Sequence, residues 1–341
     1  MRNMKSTVLS RRFSQVWRRG GTVAGPAFAP GNNFKFSRER LRKLGKDMVD
    51  ARYLYLLFIP VLIYYILFHY YPMTGIVLAF KEYNARLGFW GSKWVGLMNY
   101  RFVFTDPMFF AALENTFVIS FQRILIQFPA PIILAIMLSE VHSSKLARPL
   151  QTIFTFPNFL SWVIVGGIVV NFLGINGAVN NFLSLFGVEK TSFLADKNLF
   201  RPLLYITNVW KGAGWTAIIY LASITAIPLE QYEAAEIDGA SRMQRIFYIT
   251  LPSIKSTIMV MFVLSVGNVM SMGFDQIFNL QNPAVLDVSE ILSTYLYRVT
   301  FSGPLDFGFS TAMGLFTSVV NFIFLIVADR LAKIFGESGL F

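Results

Sequence analysis

The chain has 341 residues, of which 55% are hydrophobic, 16% aromatic and only 14% charged, with a formal net charge of +11. Soluble domains carry about 25% charged residues, so a water-soluble core cannot absorb this much apolar surface and the class is an integral membrane protein. Cysteine is absent and histidine occurs twice, at His69 and His142, which excludes disulfides and thiolate metal sites and leaves no His cluster for catalysis or a metal.

The first 52 residues hold thirteen Lys or Arg against Glu39, Asp47 and Asp50, so +10 of the +11 sits there. Such an arm contacts anionic lipid headgroups or nucleic acid, or is a solvated tail that sets topology. Gly20, Gly21, Gly25, Pro26, Pro30 and Gly31 discourage a continuous helix and favour the tail, with no nucleic-acid role. Ser10-Arg11-Arg12-Phe13 is similar to a twin-arginine signal, but no apolar stretch follows before residue 53.

Six apolar segments then reach spanning length, near 54–79, 110–138, 150–173, 201–226, 257–280 and 308–328. Residues 288–300 suit a short helix that dips in and returns. The expected architecture is therefore all-α and polytopic, with an arm at 1–52 and a six-span domain at 53–341. The arm places the N-terminus in the cytoplasm, and six spans return the C-terminus to the same side. Lys145 and Arg148, Arg242, Arg245 and Lys255, and Arg330 and Lys333 agree weakly with that orientation. The outer loop 81–109 is rich in aromatics, including Trp90 and Trp94. It reads as an interfacial belt or as a docking ledge for an extracytoplasmic partner.

The inner loop at 228–252 is the most informative segment. Pro228 suits a first helical position. Glu230 and Glu233 lie in the opening turns, where the helix dipole favours negative charge. Gly239 is suited to stopping the helix. Ser241 followed by Gln244 is a capping box that starts a second helix, with Met243, Ile246 and Phe247 on one face and Pro252 at its end. Helix, glycine turn and helix make a rigid elbow between two spans, which a soluble motor could grip; the alternative is an amphipathic loop resting on the membrane.

Glu233-Ala234-Ala235, three residues, Gly239, nine residues and Ile249-x-Leu251-Pro252 resemble the EAA signature of ABC-importer permeases at every defined position. Further segments, Phe156-Pro157-Asn158-Phe159 and Trp210-Lys211-Gly212 among them, are similar to the carbohydrate-importer branch, in particular to its polysaccharide or lipoprotein type related to the larger maltose permease subunit. The similarity covers roughly residues 50–341. It implies the type I ABC-importer permease fold and makes the elbow the coupling helices of an ATPase contact. Glu233, Ala234, Ala235, Asp238, Gly239, Ile249, Leu251 and Pro252 would carry that contact. It also implies a bacterial inner-membrane location.

Polar groups at bilayer depth face a cavity or a partner. Arg123 and Gln127 stand one turn apart on the second span, Asn208, Lys211 and Trp215 share a face of the fourth beside Trp210, and Asn268 and Asp275 share a face of the fifth. Two readings stay open. These residues line a translocation path, with the Trp rings offering flat faces to sugar. Otherwise they are structural, with Lys211 paired to Asp275 or to a partner subunit's carboxylate. Unpaired cations would attract an anionic sugar such as a uronate oligosaccharide.

A secondary transporter driven by an ion gradient would explain the spans but not the elbow. A membrane transferase would need clustered acids or His at a membrane face. No catalytic or metal residue is expected. With no GxxxxGK[ST] loop in the chain, ATP and Mg would bind a separate ATPase. Six spans make half a pore of this type, so a second permease is implied, expected to be non-identical, and import implies an extracytoplasmic solute-binding protein that delivers an oligosaccharide.

Overall fold

The structure is a computed structural model describing residues 51–141, 143–302, 306–334 and 336. Nearly all of the basic arm, and His142, lie outside the described residues. The described residues divide into two compact units, one ending at Tyr71 and one beginning at Pro72.

The described part of the first unit is helix α1, Arg52–Tyr65, which continues as a π turn over Ile66–Tyr70. Rings pair at one-turn spacing along it, Tyr64 with Phe68 at 5.2 Å between centroids and Tyr65 with His69 at 4.9 Å. Residues 3–4 apart share a helix face, so these pairs follow from the sequence.

The second unit begins at Pro72, within the 3-10 turns over Tyr71–Phe80, and continues as a two-stranded hairpin, β1 Lys81–Glu82 and β2 Lys93–Trp94, enclosing α2 Gly88–Gly91. Lys81 Nζ donates to the carbonyls of Phe89 (2.8 Å) and Trp90 (3.1 Å) and so closes the hairpin loop. The expected outer loop is thus a folded cap with Trp90 and Trp94 on its surface.

Helices follow in chain order: α3 Met98–Val103, α4 Pro107–Gln127, α5 Pro129–Ser139, α6 Ser144–Thr155, α7 Trp162–Leu173, α8 Ala178–Ser184 and α9 Lys197–Thr225. Next come α10 Leu229–Ile237, α11 Arg242–Arg245, α12 Leu251–Ser253, α13 Lys255–Gly267 and α14 Phe274–Leu280. The last three are α15 Leu286–Ser289, α16 Leu292–Ser302 and α17 Phe307–Ile334.

Among the described residues, four stretches are long and apolar enough to cross a membrane, 52–80, 107–139, 162–184 and 307–334; the number is six when the bent pairs at 197–237 and 242–267 each count as one span. Burial is confined to part of the surface of the long helices, and α1 buries no residue. Apolar side chains such as Val163, 69% exposed, and Phe322, 59% exposed, cover the outside, which suits a lipid environment.

Two expected spans are broken. The segment at 150–173 ends its first helix at Thr155, makes a 3-10 turn over Phe156–Phe159 around Pro157, and restarts at Trp162 with Ser161 as N-cap. A proline in this position supplies no backbone donor, which favours the break. The segment at 257–280 stops at Gly267 and resumes at Phe274 after Gly273, whose φ is +91°. Glycine adopts that left-handed backbone at little steric cost. Residues 288–300, expected as one short helix, are instead divided between α15 and α16.

Candidate functional site

The elbow follows from local chemistry. At the end of α10 the Ala240 N–H donates to the Ala235 carbonyl (2.8 Å) and the Gly239 N–H to that of Glu236 (3.0 Å). This is a Schellman closure, and it needs the left-handed Gly239, whose φ is +77°. The next helix starts with the capping box: the Gln244 N–H donates to Ser241 Oγ, and the Ser241 N–H to Gln244 Oε1 at 2.7 Å.

Two side-chain ties fix the angle between the helices, a Tyr232–Thr250 hydroxyl contact of 2.9 Å and an Arg245–Glu236 ion pair of 3.3 Å. Pro228 stands one residue ahead of its expected place, as N-cap. Pro252 does not end the second helix. A π turn over Ile246–Thr250 absorbs the proline, the helix runs to Ser253, and α13 leaves it at 62°. Glu233, Ala234, Asp238, Gly239 and Pro252 are exposed, while Ala235, Ile249 and Leu251 are half-buried. Ile237 and Tyr248 add exposed apolar surface to the same elbow. Such a surface suits a protein partner.

The second feature is a polar layer where α4, α9 and α14 meet. Gln276 is fully buried at its centre. Its Oε1 accepts from Arg123 Nη2 and, at 3.2 Å, from Asn208 Nδ2. Its Nε2 donates to the Leu204 carbonyl (2.7 Å) and to Thr207 Oγ1 (2.8 Å). The left-handed Gly273 leaves room for the Arg123 guanidinium, which a β-carbon there would strike. Arg123 is 1% exposed, and among the described residues no carboxylate pairs with it. A charged side chain at bilayer depth costs at least ~2.5–3.5 kcal/mol on insertion scales, so this cation has a function or a strong structural reason.

Below this layer lies a cavity of about 170 Å³, lined by Arg123, Gln127, Asn208, Thr216, Tyr220 and Ser265, among others. Arg123 Nε and Gln127 Nε2 are buried there with no protein acceptor. An orphan guanidinium N–H beside an orphan amide N–H makes the cavity a place for an anion, a hydroxyl or water.

The other expected path residues separate from this cavity. Lys211 Nζ donates to the Asn158 carbonyl (2.9 Å) and lies 5.5 Å from the Trp162 ring centre. Trp215 packs edge-on against Phe159. Both therefore serve the break between α6 and α7. Gly214 allows that break to pack against α9, because a β-carbon there would collide with the Phe154 carbonyl. The alternative pairing of Lys211 with Asp275 does not form, since Lys211 Nζ is held by the Asn158 carbonyl. Asp275 is exposed in the first turn of α14, and Asn268 caps its own helix at Leu264 (3.0 Å). Trp210 is exposed.

Sequence reasoning missed Gln276, although a second amide one residue after Asp275 in an apolar run was a visible signal. Among the described residues no group of three or more His, Cys, Asp or Glu gathers to hold a metal.

A family model for the binding-protein-dependent transport system inner membrane component matches residues 127–335, more than half the chain. The polygalacturonan/rhamnogalacturonan transport system permease protein YteP of Bacillus subtilis (strain 168) is 42% identical over 307 residues, covering 90% of this chain and 95% of that protein. Protein LplB of the same strain is 41% identical over 291 residues, with 85% and 91% covered. Among solved structures, a bacterial alginate ABC transporter in complex with its alginate pentasaccharide-bound periplasmic protein superposes with a TM-score of 0.81 at 36% identity. The match covers 87% of this chain and 100% of that one. An elbow between membrane spans and a polar layer at their centre thus occur in a chain that belongs to the family of binding-protein-dependent transport system inner membrane components.

Proposed function

We propose that this chain imports an oligosaccharide bearing carboxylates, with Arg123, Gln127 and Asn208 lining its path. It is a transport permease subunit and not an enzyme. The observation that carries the substrate reading is the buried Arg123 guanidinium, which has neutral protein partners and an orphan Nε at a cavity. A guanidinium in a low-dielectric site recognises carboxylate in preference to neutral hydroxyls. Polygalacturonan and alginate, named for the relatives above, are acidic polymers.

The exposed elbow is the contact for a partner ATPase, which holds ATP and Mg²⁺. Glu233, Asp238 and Gly239 present its acid edge and turn; Ile249, Leu251 and Pro252 anchor it to α13. A second permease subunit, non-identical to this one, completes the pore, and an extracytoplasmic binding protein delivers the sugar. The N-terminus is cytoplasmic, as the basic arm requires. An ion-gradient transporter has no use for the elbow.

The test is uptake into proteoliposomes that contain the complete importer. Trigalacturonate should accumulate with ATP inside the cytoplasmic compartment, and its methyl ester should accumulate far more slowly. Equal uptake of both would refute the acidic-substrate reading, and uptake without ATP would refute the importer.

A further inference from the structure

We infer that a second, outer site for sugar carboxylates lies in the groove between α4 and α9, built on Arg201 with Lys197, Gln122 and Tyr205. It rests on the acidic-oligosaccharide reading for its ligand but uses different residues. The groove is open to the outside and offers about 600 Å³.

Lys197, Arg201 and Tyr205 recur every four residues along α9 and so share one face. The same spacing continues nearly in line to Asn208 and Gly212, which line the inner cavity. At 1.5 Å rise per residue, Arg201 stands about 10 Å above Asn208 along the helix. The two hollows are thus successive stations on one helix. Tyr205 Oη donates to Gln122 Oε1 at 2.6 Å, next in sequence to Arg123, and lies between them.

The charge at Arg201 is not balanced. Its Nε donates to the Val288 carbonyl (3.0 Å) and its Nη2 to Asn115 Oδ1 (2.7 Å), both neutral. These bonds fix the guanidinium plane and leave Nη1 without an acceptor among the described residues. The nearby acids are already engaged: Asp287 with Lys197 at 2.7 Å, and Glu290 with Arg298 through two bonds of 2.7 and 2.9 Å. Of Lys197, Arg201 and Arg298, Arg201 is thus the one with no ion-paired acid among the described residues. The Lys197–Asp287 pair is exposed on both sides. Such pairs contribute ~0–1 kcal/mol, so Lys197 can turn to an incoming carboxylate. Leu125 and Ile206 provide an apolar wall for the faces of a sugar ring.

The absence of cysteine supplies the probe. In Asn198→Cys, an exposed groove position, the single thiol is labelled from outside with an impermeant maleimide in the assembled importer. Trigalacturonate at about nine times its Kd should slow labelling about tenfold by mass action, and the methyl ester should not. Adding Arg201→Gln should abolish protection while leaving the sugar-free labelling rate unchanged, and Arg201→Lys should retain part of it. Asp287→Asn, which frees Lys197, should lower the concentration needed.

No protection in Asn198→Cys, equal protection by the ester, or protection that survives Arg201→Gln would each overturn the site. Should Arg201→Gln fail to assemble, Lys197→Gln, which loses only a surface pair, must weaken protection or the site is refuted. Uptake of trigalacturonate without protection leaves the transport reading standing and removes the groove. Protection without uptake does the reverse.

Discussion

Replacing Gln276 tests whether the central layer serves structure, substrate or both. Gln276→Leu keeps the approximate volume but removes both polar atoms. Three neutral interhelical bonds are lost, to Asn208, Leu204 and Thr207, at ~0.6 kcal/mol each in a membrane bundle. The buried Arg123 guanidinium also loses its acceptor, which costs ~1.5–3 kcal/mol. The expected destabilisation is about 3–5 kcal/mol, a factor of a hundred to several thousand in the folded ratio.

Gln276→Glu differs: it keeps an acceptor for Arg123 and supplies its missing negative charge, at the loss of two donated bonds, or about 1–2 kcal/mol. Thermal inactivation in nanodiscs measures the first effect and proteoliposome uptake the second. Gln276→Leu should lose its assembled form many degrees below the wild type. Gln276→Glu should assemble and hydrolyse ATP at the basal rate, yet fail to import trigalacturonate, because Arg123 is now neutralised. Wild-type uptake by Gln276→Glu would refute a substrate role for the Arg123 charge, and unaltered stability of Gln276→Leu would refute the layer as a structural hub.

Gly239→Val places a β-branched residue at φ +77° and should uncouple sugar-stimulated ATP hydrolysis while the spans stay folded; unchanged stimulation in proteoliposomes would contradict the coupling role of the elbow. Lys211→Met loses the donor to the Asn158 carbonyl and should reduce stability by ~1.5–3 kcal/mol. A second change, Asp275→Asn, should not restore it, since the two side chains are unpaired; recovery measured by thermal inactivation would overturn that geometry. Gly214→Val must push α9 off the Phe154 carbonyl and should cost at least ~1–3 kcal/mol, with assembly yield as the readout.

Much of the molecule was legible from local chemistry. The elbow depends on interactions within a few residues: Gly239 for a left-handed turn, and Ser241 with Gln244 for a reciprocal cap. The transmembrane class and the positions of most spans follow from apolar run length, because the bilayer imposes that length on the chain. The breaks at Phe156–Ser161 and Asn268–Gly273 were not read as breaks. Hydropathy stays high through them, and only the φ of Gly273 and the turn at Pro157 interrupt the helices.

The polar residues show the same boundary. Arg123, Gln127 and Asn208 were legible as costly groups at bilayer depth, and the fold brings them to one cavity. Lys211 and Trp215 occupy the same apparent face of α9 as Asn208 and were read with it. Packing of α6 and α7 claims them instead, through Asn158 and Phe159. Gln276, Arg201 and Lys197 gained their importance only from partners 68 to 90 residues away. Sequence alone determined that this chain crosses the membrane and carries a helix–turn–helix elbow, because those features arise from composition and from neighbours within one or two turns. Tertiary structure decided which cations are left without an acid, because charge compensation depends on side chains that only folding brings within hydrogen-bond distance.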